Sequence, residues 1–229
     1  MGARVMIKQL ASNVDRSFGI RQWLRGEPRG GFDLAGEKIL DWGWICANLP
    51  RERLRALEIG CGNSPVLPTM LALGYDVVGI DLDGTIAKQV TGFTFIQGDF
   101  NEIELAPAFD VIVACSCIEH FGLSGRYGSD EDENADLRAM GKVSRLLTPS
   151  GILFLTIPVG HDMVFRPWHR IYGKQRLGSL LEGFEVERSR FFIKDPWGPW
   201  FDATEEAALD FPADPARYAL GEMILRKKS

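Results

Sequence analysis

The sequence contains few of the residues that mark extracellular, metal-binding or membrane proteins. Among 229 residues there are four cysteines and three histidines. Cys46, Cys61, Cys115 and Cys117 show no metal-ligand spacing, so we expect reduced thiols. No apolar stretch is close to the length of about 18 residues that a helix needs to cross a bilayer. The N-terminal apolar run is too short for a signal peptide. We therefore expect a cytoplasmic protein with no membrane partner.

A surplus of basic residues is also absent. The formal net charge is −5, whereas nucleic-acid binding needs Lys and Arg side chains that neutralise phosphates. The charge balance therefore argues against nucleic acid as a partner. Hydrophobic residues make up 45% of the chain and charged residues 25%, as in an ordinary globular protein. The length suffices for one α/β domain with a full core and an appendage.

The most informative feature that is present is a glycine-rich turn between two apolar runs. The first run ends at Ile59 and breaks into Gly60-Cys61-Gly62, and the second ends on Asp81. A tight turn after a strand requires glycine. An acid about 20 residues further on, at the end of the next strand, can accept hydrogen bonds from ribose hydroxyls. This stretch therefore predicts a βαβ unit that binds a nucleoside.

Two kinds of nucleoside cofactor fit such a unit. Dinucleotide-binding folds use a third glycine, but Pro65 occupies that position, which disfavours the alternative of an NAD-dependent oxidoreductase. Glu58 would repel a pyrophosphate and suits a cationic ligand, such as the amino group or sulfonium of S-adenosylmethionine (SAM). The pattern E-x-G-x-G resembles motif I of the class I SAM-dependent methyltransferases, with Ser64 in place of that family's third glycine.

Further segments resemble motifs of the same family in the same order. Residues 95–100 resemble its third-strand motif, whose acid, here Asp99, contacts the adenine amino group. Residues 109–116 resemble the fourth strand, and residues 145–158 resemble the helix, turn and fifth strand that follow. The block 116–123, together with 126–128 and 169–173, is similar to a methyltransferase-like family catalogued mainly as a domain of unknown function. The resemblance covers residues 54–193 and 219–227.

The resemblance implies a single doubly wound α/β domain with a Rossmann-like, seven-stranded mixed sheet. Its parts are an N-terminal arm and helix (1–53), the core (54–193), an aromatic insert (194–218) and the last strand (219–229). Apolar periodicity and turn residues predict the elements. The helices are predicted at 34–49, 65–73, 132–147 and 173–182, with a short helix or turn at 84–90, and the strands at 55–59, 76–81, 93–97, 110–115, 152–157, 184–193 and 219–226.

The resemblance also implies a cofactor site at the carboxyl ends of the strands. SAM is the expected cofactor. The residues expected to bind it are Glu58, Gly60, Gly62, Asp81, Leu82, Asp99, Phe100 and Ser116.

Two candidate catalytic residues, Glu119 and His120, directly follow the fourth strand, where methyl donor and acceptor should meet. An imidazole titrates near neutral pH and can take the proton of a hydroxyl, so His120 is the candidate general base. Ordering the loop or contacting the cofactor is the alternative role. Glu119 is a candidate for orienting the imidazole or binding the acceptor. Glu119, His120, His161 and Asp162 would be the acid and imidazole set for a metal-assisted mechanism, but no spacing requires it, and no metal site is predicted.

Polar and aromatic side chains outside these motifs are candidates for binding the acceptor. The insert 194–218 combines aromatic residues with prolines and is predicted to form a wall or lid over the acceptor. The candidates are Arg126, Tyr127, His161, His169, Arg170, Tyr172, Trp197 and Trp200.

The predicted function is methyl transfer from SAM to a small polar acceptor. A sugar hydroxyl, in glycan or natural-product biosynthesis, is the first expectation, so the partner would be a small molecule or a glycan. N-methylation of an amino sugar or another small molecule is one alternative, and a non-catalytic SAM-binding module that regulates a partner is another. The oligomeric state stays open, with a homodimer as one alternative.

Overall fold

An eight-stranded mixed sheet forms the centre of the computed structural model, which describes residues 37–62, 64–124, 130–194, 199–215 and 217–228. The strand order is β3-β2-β1-β4-β5-β10-β8-β9. The strands are β1 (Arg55–Ile59), β2 (Asp76–Asp81), β3 (Thr94–Gln97), β4 (Phe109–Cys115), β5 (Leu147–Val159), β6 (Met163–Phe165), β7 (His169–Ile171), β8 (Phe184–Lys194), β9 (Trp200–Ala203) and β10 (Ala219–Lys227), and the helices are α1 (Lys38–Asn48), α2 (Val66–Ala72), α3 (Ala135–Leu146), α4 (Lys174–Leu180) and α5 (Glu205–Leu209).

The direction of the strands creates a switch point in the middle of the sheet. β1 pairs in parallel with β2 on one side and β4 on the other, and β2 and β4 pair in parallel with β3 and β5. The chain therefore runs outward from β1 to β3 and returns to β4 on the other side. In open α/β sheets, ligands bind beyond the carboxyl ends of the strands at such a point.

The sheet confirms the predicted doubly wound α/β fold, with one strand more than the seven expected. The additional strand, β9, pairs antiparallel with β8 at the sheet edge. It and α5 lie in the segment predicted as an aromatic insert, where closely spaced prolines obscure the pattern of so short a strand. The two-stranded sheet of β6 and β7 was not predicted either. No helix in the described ranges is long and apolar enough to cross a bilayer.

Helix α1 confirms the predicted leading helix and packs on one face of the sheet. Its buried stripe contains Trp44 and Ile45, and the Trp44 ring contacts that of Phe154 on β5 edge to face, with 6.0 Å between centroids. Burying one large apolar side chain stabilises the fold by about 1.5–3 kcal/mol. The helix stops before Pro50, because a residue preceding proline disfavours helical backbone angles. One buried residue of the stripe, Asp41, is an acid.

A second acid, Glu222 on β10, also lies in this part of the core. Its side chain is buried, and neither carboxyl oxygen has a hydrogen-bond partner among the described residues. Burial raises the pKa of Glu222 to about 8, and Asp41 and Asp202 add to the rise while Arg190 opposes it. The folded chain therefore keeps a proton that the unfolded chain releases at about pH 4.5.

We expect the contribution of Glu222 to the free energy of unfolding to fall as pH rises from about 4.5 through 8. In that window the folded chain binds more protons than the unfolded chain. Glu222→Gln should lessen this loss of stability with rising pH. It should also raise the thermal midpoint at pH 9 by about 2–4 °C, because it removes the cost of about 1 kcal/mol for burying an unpaired charge. Thermal unfolding at pH 6 and pH 9 measures this. Glu185→Gln, at an exposed position of β8, is the control, and an equal fall in wild type and Glu222→Gln would contradict the prediction.

Candidate active site

A cavity of about 450 Å³ lies at the carboxyl ends of the parallel strands, within the size range of small-molecule sites. Its wall follows the order of the strands across the sheet. The nucleoside end, after β2 and β3, contains Asp81, Leu82, Gly98, Asp99 and Phe100; the centre, after β1 and β4, contains Gly60, Ser116 and Cys117; and the distal end contains Glu37, Lys38, Glu119, His120, Trp168, His169 and Tyr218.

Gly60 ends β1 and allows two backbone segments to meet in the centre of the cavity. Its φ is +70°, a conformation that side chains disfavour. A Cβ added to Gly60 would lie 2.7 Å from the Cβ of Cys117. No other residue would therefore fit without moving the segment that follows β4.

Asp81 at the end of β2 holds the glycine turn and faces the nucleoside end. Its Oδ2 accepts a hydrogen bond from the Gly62 amide at 2.8 Å, and its Oδ1 accepts one from the Asp83 amide at 2.8 Å. Each carboxylate oxygen keeps a further lone pair for a ligand. Gly62 does not line the cavity and contributes through Asp81 instead.

The other residues at the nucleoside end fit an adenosine as well. Asp99 lines the cavity, and its Oδ1 accepts a hydrogen bond from the Asn101 amide at 2.8 Å. Phe100 is buried beside it and Leu82 is half-exposed. A nucleoside cofactor such as SAM requires these features: two fixed carboxylates, an apolar ring and a glycine with no room for a Cβ.

Ser116 lies in the centre of the cavity, but its hydroxyl is engaged by the protein. The hydroxyl donates to Oδ2 of buried Asp41 at 2.7 Å, and the backbone N–H donates to the Thr156 hydroxyl at 3.1 Å. Burial raises the pKa of Asp41 to about 6, against the opposing hydrogen bond from Ser116. Ser116 therefore contributes to the cavity wall mainly through its backbone.

Glu58 does not line the cavity, and its role in binding the cofactor stays a prediction. Successive strand residues face opposite sides of a sheet, so Ile59 contributes to the cavity wall while Glu58 is buried on the other side. Burial raises the pKa of Glu58 to about 8, although the Ser64 hydroxyl opposes the rise.

His120, at the distal end, is oriented by a backbone carbonyl. It ends a short 3₁₀ turn, Ile118–His120, and its Nδ1 lies 2.6 Å from the carbonyl oxygen of Trp168. A carbonyl can only accept, so Nδ1 of the neutral ring carries the proton and Nε2 carries the lone pair. Nε2 lies 3.6 Å from Oε1 of Glu119. The ring is thus arranged to take a proton at Nε2.

The distal end contains an acid, Glu119, and a base, Lys38. Glu119 is buried, and burial raises its pKa to about 8, although Lys38 opposes the rise. The Lys38 Nζ lies 3.4 Å from the carbonyl oxygen of Cys115 and 3.3 Å from that of Ser116. Burial would lower the pKa of Lys38, but the surrounding acids, Glu119 among them, outweigh it and raise the pKa.

Four residues of the distal end were missed by sequence analysis: Glu37, Lys38, Trp168 and Tyr218. The Tyr218 hydroxyl donates to Oε2 of Glu37 at 3.0 Å, although 181 positions separate the two residues. Such a pair leaves no local signal in the sequence. The one usable signal was the occurrence of Lys38 and Asp41 on the buried side of a helix that is otherwise apolar there.

Arg170 and Tyr172 are structural, which corrects the prediction that they bind the acceptor. The Arg170 guanidinium is buried and donates to the carbonyl oxygens of Phe121 and Asp132. The Tyr172 hydroxyl donates to the buried carboxylate of Asp136 at 3.0 Å. A buried carboxylate needs donors, and Tyr172 and Arg176 supply them where α3 begins.

Two other predicted acceptor residues also lie away from the cavity wall. His161 is exposed, and its amide donates to the carbonyl oxygen of Phe211 at 3.0 Å. Trp200 belongs to β9 and packs on Tyr218, with 6.4 Å between ring centroids. Arg126, Tyr127 and Trp197 lie outside the described residues. Across the described ranges, no three His, Cys, Asp or Glu side chains are grouped as a metal site.

Comparison with known proteins identifies the family. A family model described as "Caenorhabditis protein of unknown function, DUF268" matches residues 73–191. The chain belongs to this family. The matched part of this DUF268 member contains β3, β4 and β5 together with Glu119, His120 and His169.

The DUF268 chain is also similar to YqeM of Bacillus subtilis strain 168, described as a candidate methyltransferase. The two are 28% identical over 123 residues, which cover 50% of this chain and 46% of YqeM. The match therefore spans less than half of that relative's length.

Two solved structures show the fold of the DUF268 chain. One is the 1,6-didemethyltoxoflavin-N1-methyltransferase of Burkholderia thailandensis with bound 1,6-didemethyltoxoflavin and S-adenosylhomocysteine, at a TM-score of 0.56 and 18% identity, covering 96% of this chain and 90% of that one. The other is the N-methyltransferase NodS of Bradyrhizobium japonicum WM9 with S-adenosylhomocysteine, at a TM-score of 0.57 and 15% identity, covering 87% and 90%. The predicted Rossmann-like methyltransferase fold is confirmed.

Proposed function

We propose that the chain is a SAM-dependent methyltransferase that acts on a small polar acceptor. One observation carries the proposal. A single cavity joins Gly60 and Asp81, which suit a nucleoside, to His120, whose Nε2 suits a proton acceptor. The centre of the cavity lies between the nucleoside end and the distal end. The methyl group would pass there from SAM to the acceptor.

The residues of the cavity have separate tasks in this proposal. SAM supplies a methyl group on a positively charged sulfur, which is already activated for transfer. Asp81 binds the ribose hydroxyls, Asp99 binds the adenine amino group, and Gly60 lets the backbone approach the cofactor. The walls align donor and acceptor and exclude water. His120 takes the acceptor proton at Nε2, and ionised Glu119 would stabilise the imidazolium that forms.

Two classes of acceptor fit the distal end of the cavity. A sugar hydroxyl fits the need for a general base, because a hydroxyl must lose its proton as it is methylated. Sugars stack on aromatic rings, and Trp168, His169 and Tyr218 line the distal end. N-methylation of an amino sugar or another small molecule is the second candidate, and the acids Glu37 and Glu119 in the same wall favour it. The acceptor is a small molecule or a glycan in both proposals.

The test begins with cofactor choice. We expect isothermal titration calorimetry to show binding of SAM and S-adenosylhomocysteine and no binding of NAD, because a third glycine for the pyrophosphate is missing. Formation of S-adenosylhomocysteine with a panel of sugars and amino sugars then tests catalysis. Binding of NAD without SAM would contradict the proposal, and SAM binding without turnover of any cellular extract would favour a regulatory module.

A further inference from the structure

The strongest unused feature of the cavity is one oxygen atom of Glu119. The Glu119 side chain lines the distal end, yet only 3% of the residue is exposed. Its Oε2 has no hydrogen-bond partner among the described residues. A buried acceptor without a donor costs about 1–3 kcal/mol, and more when it is charged. A ligand that donates a hydrogen bond to this oxygen would therefore remove that cost.

Acidic side chains outnumber basic ones around Glu119, so above the pKa of Glu119 its surroundings carry more negative than positive charge. On the cavity wall, Glu37 and Glu119 face a single ammonium, that of Lys38. Two groups are already engaged, since Glu37 accepts from Tyr218, and Lys38 approaches the carbonyl oxygens of Cys115 and Ser116. Asp41 lies behind the wall and is also an acid near Lys38. A cation entering the distal end would balance this charge.

Aromatic rings form the rest of the distal wall. The ring centroids of His169 and Tyr218 are 5.3 Å apart, with an interplanar angle of 66°. Those of His120 and His169 are 6.4 Å apart. Trp168 lines the cavity beside them. The faces of Trp and Tyr rings attract cations by about 0.5–2 kcal/mol. Trp168 and Tyr218 in the same wall as Glu119 therefore suit an alkylammonium group.

We propose that the distal end binds the acceptor as a protonated amine, with its N–H donors on Oε2 of Glu119, and that this nitrogen is the atom methylated. The inference rests on the proposed function and narrows its acceptor to an aliphatic amine. An ammonium supplies three donors and a positive charge, whereas a hydroxyl supplies one donor and leaves the charge of the carboxylates unbalanced.

The chemistry balances with the groups at hand. The ammonium transfers one proton to Nε2 of His120, and the nitrogen regains its lone pair. The nitrogen forms a bond to the methyl carbon as the carbon–sulfur bond breaks, and the electron pair of that bond stays on sulfur. The products are a methylated ammonium, which Glu119 can still pair with, neutral S-adenosylhomocysteine and a protonated His120, whose proton passes to water.

The experiment compares two probes of one shape that differ in charge. Cyclohexylamine and cyclohexanol are titrated at pH 9 into the full chain saturated with S-adenosylhomocysteine, because at that pH Glu119 is ionised and the amine is still protonated. We expect the amine to bind about 10- to 100-fold more tightly than the alcohol, as removing a charged hydrogen bond costs about that factor. Glu119→Gln should abolish the preference and leave cyclohexanol binding within about twofold. Glu185→Gln, an exposed change on β8, should keep the preference.

The outcomes separate this inference from the proposed function. Failure of the wild-type chain to bind S-adenosylhomocysteine would overturn the proposed function and the inference with it. Binding of S-adenosylhomocysteine with equal affinity for the two probes, or with neither probe bound, would overturn the inference alone. An amine preference that survives in Glu119→Gln would also overturn it. Equal affinity for S-adenosylhomocysteine in wild type and Glu119→Gln shows that the variant is folded at the site.

Discussion

Replacing His120 by Gln should lower kcat by about 10²–10⁴-fold with little change in SAM affinity. The imidazole is held by the Trp168 carbonyl at Nδ1, which leaves Nε2 as the proton acceptor. Glutamine keeps a polar side chain of similar reach but cannot take a proton. The wild-type rate should also fall as the medium becomes more acidic, because only the neutral ring accepts. Steady-state kinetics across pH, with calorimetry of SAM binding, measures both effects.

His161→Gln is the matched control for this prediction, because His161 is exposed and lies outside the cavity wall. It should retain wild-type kcat and the wild-type pH profile. If His120→Gln kept more than about a tenth of kcat and the same acid limb, another group would be the proton acceptor. If its SAM affinity collapsed instead, His120 would serve the cofactor or the loop.

Asp81→Asn should weaken SAM binding by about 2–4 kcal/mol, which is about 30- to 1000-fold. The carboxylate of Asp81 has a structural role, since Oδ2 accepts from Gly62, besides the ribose binding that we propose. Asparagine keeps one oxygen for the Gly62 amide but loses the oxygen that accepts from the Asp83 amide. Its amide nitrogen, however, cannot accept from a ribose hydroxyl. The substitution therefore preserves more of the turn than an alanine would.

Asp76→Asn is the control, because Asp76 begins the same strand at its opposite end and its side chain is exposed. Its SAM affinity, measured by the same calorimetric titration, should equal that of the wild type. Circular dichroism and thermal midpoints verify that both variants are folded. Unchanged affinity in Asp81→Asn would mean that the ribose is held elsewhere.

The fold and the nucleoside end could be predicted because their signals are local. Gly60 and Asp81 lie in one βαβ unit, and the conformation of a glycine turn depends mainly on its own residues. Asp99 follows the next strand of the same half. Strand alternation, which is also a local signal, places Glu58 on the face opposite Ile59.

The distal end could not be predicted, because it is assembled from residues far apart in the chain. Glu37 meets Tyr218, and His120 meets the carbonyl of Trp168. From the sequence, the role of a polar residue near the motifs can therefore be predicted only from its residue type. Arg170 was assigned to the acceptor although it binds backbone carbonyls in the interior. The destination of a polar side chain depends on which buried partners need it, and tertiary structure decides that.

The arrangement of the cavity along the sheet has a consequence for how such proteins diversify. The strands β1, β2 and β3 carry the nucleoside end, whereas α1 and the segments after β4, after β5 and before β10 carry the distal end. Substitutions in well-separated parts of a protein act nearly additively. Selection can therefore retune acceptor choice through positions such as Glu37, Trp168 and Tyr218 while cofactor affinity stays constant. A mutational library confined to those positions would explore new acceptors without rebuilding the cofactor site.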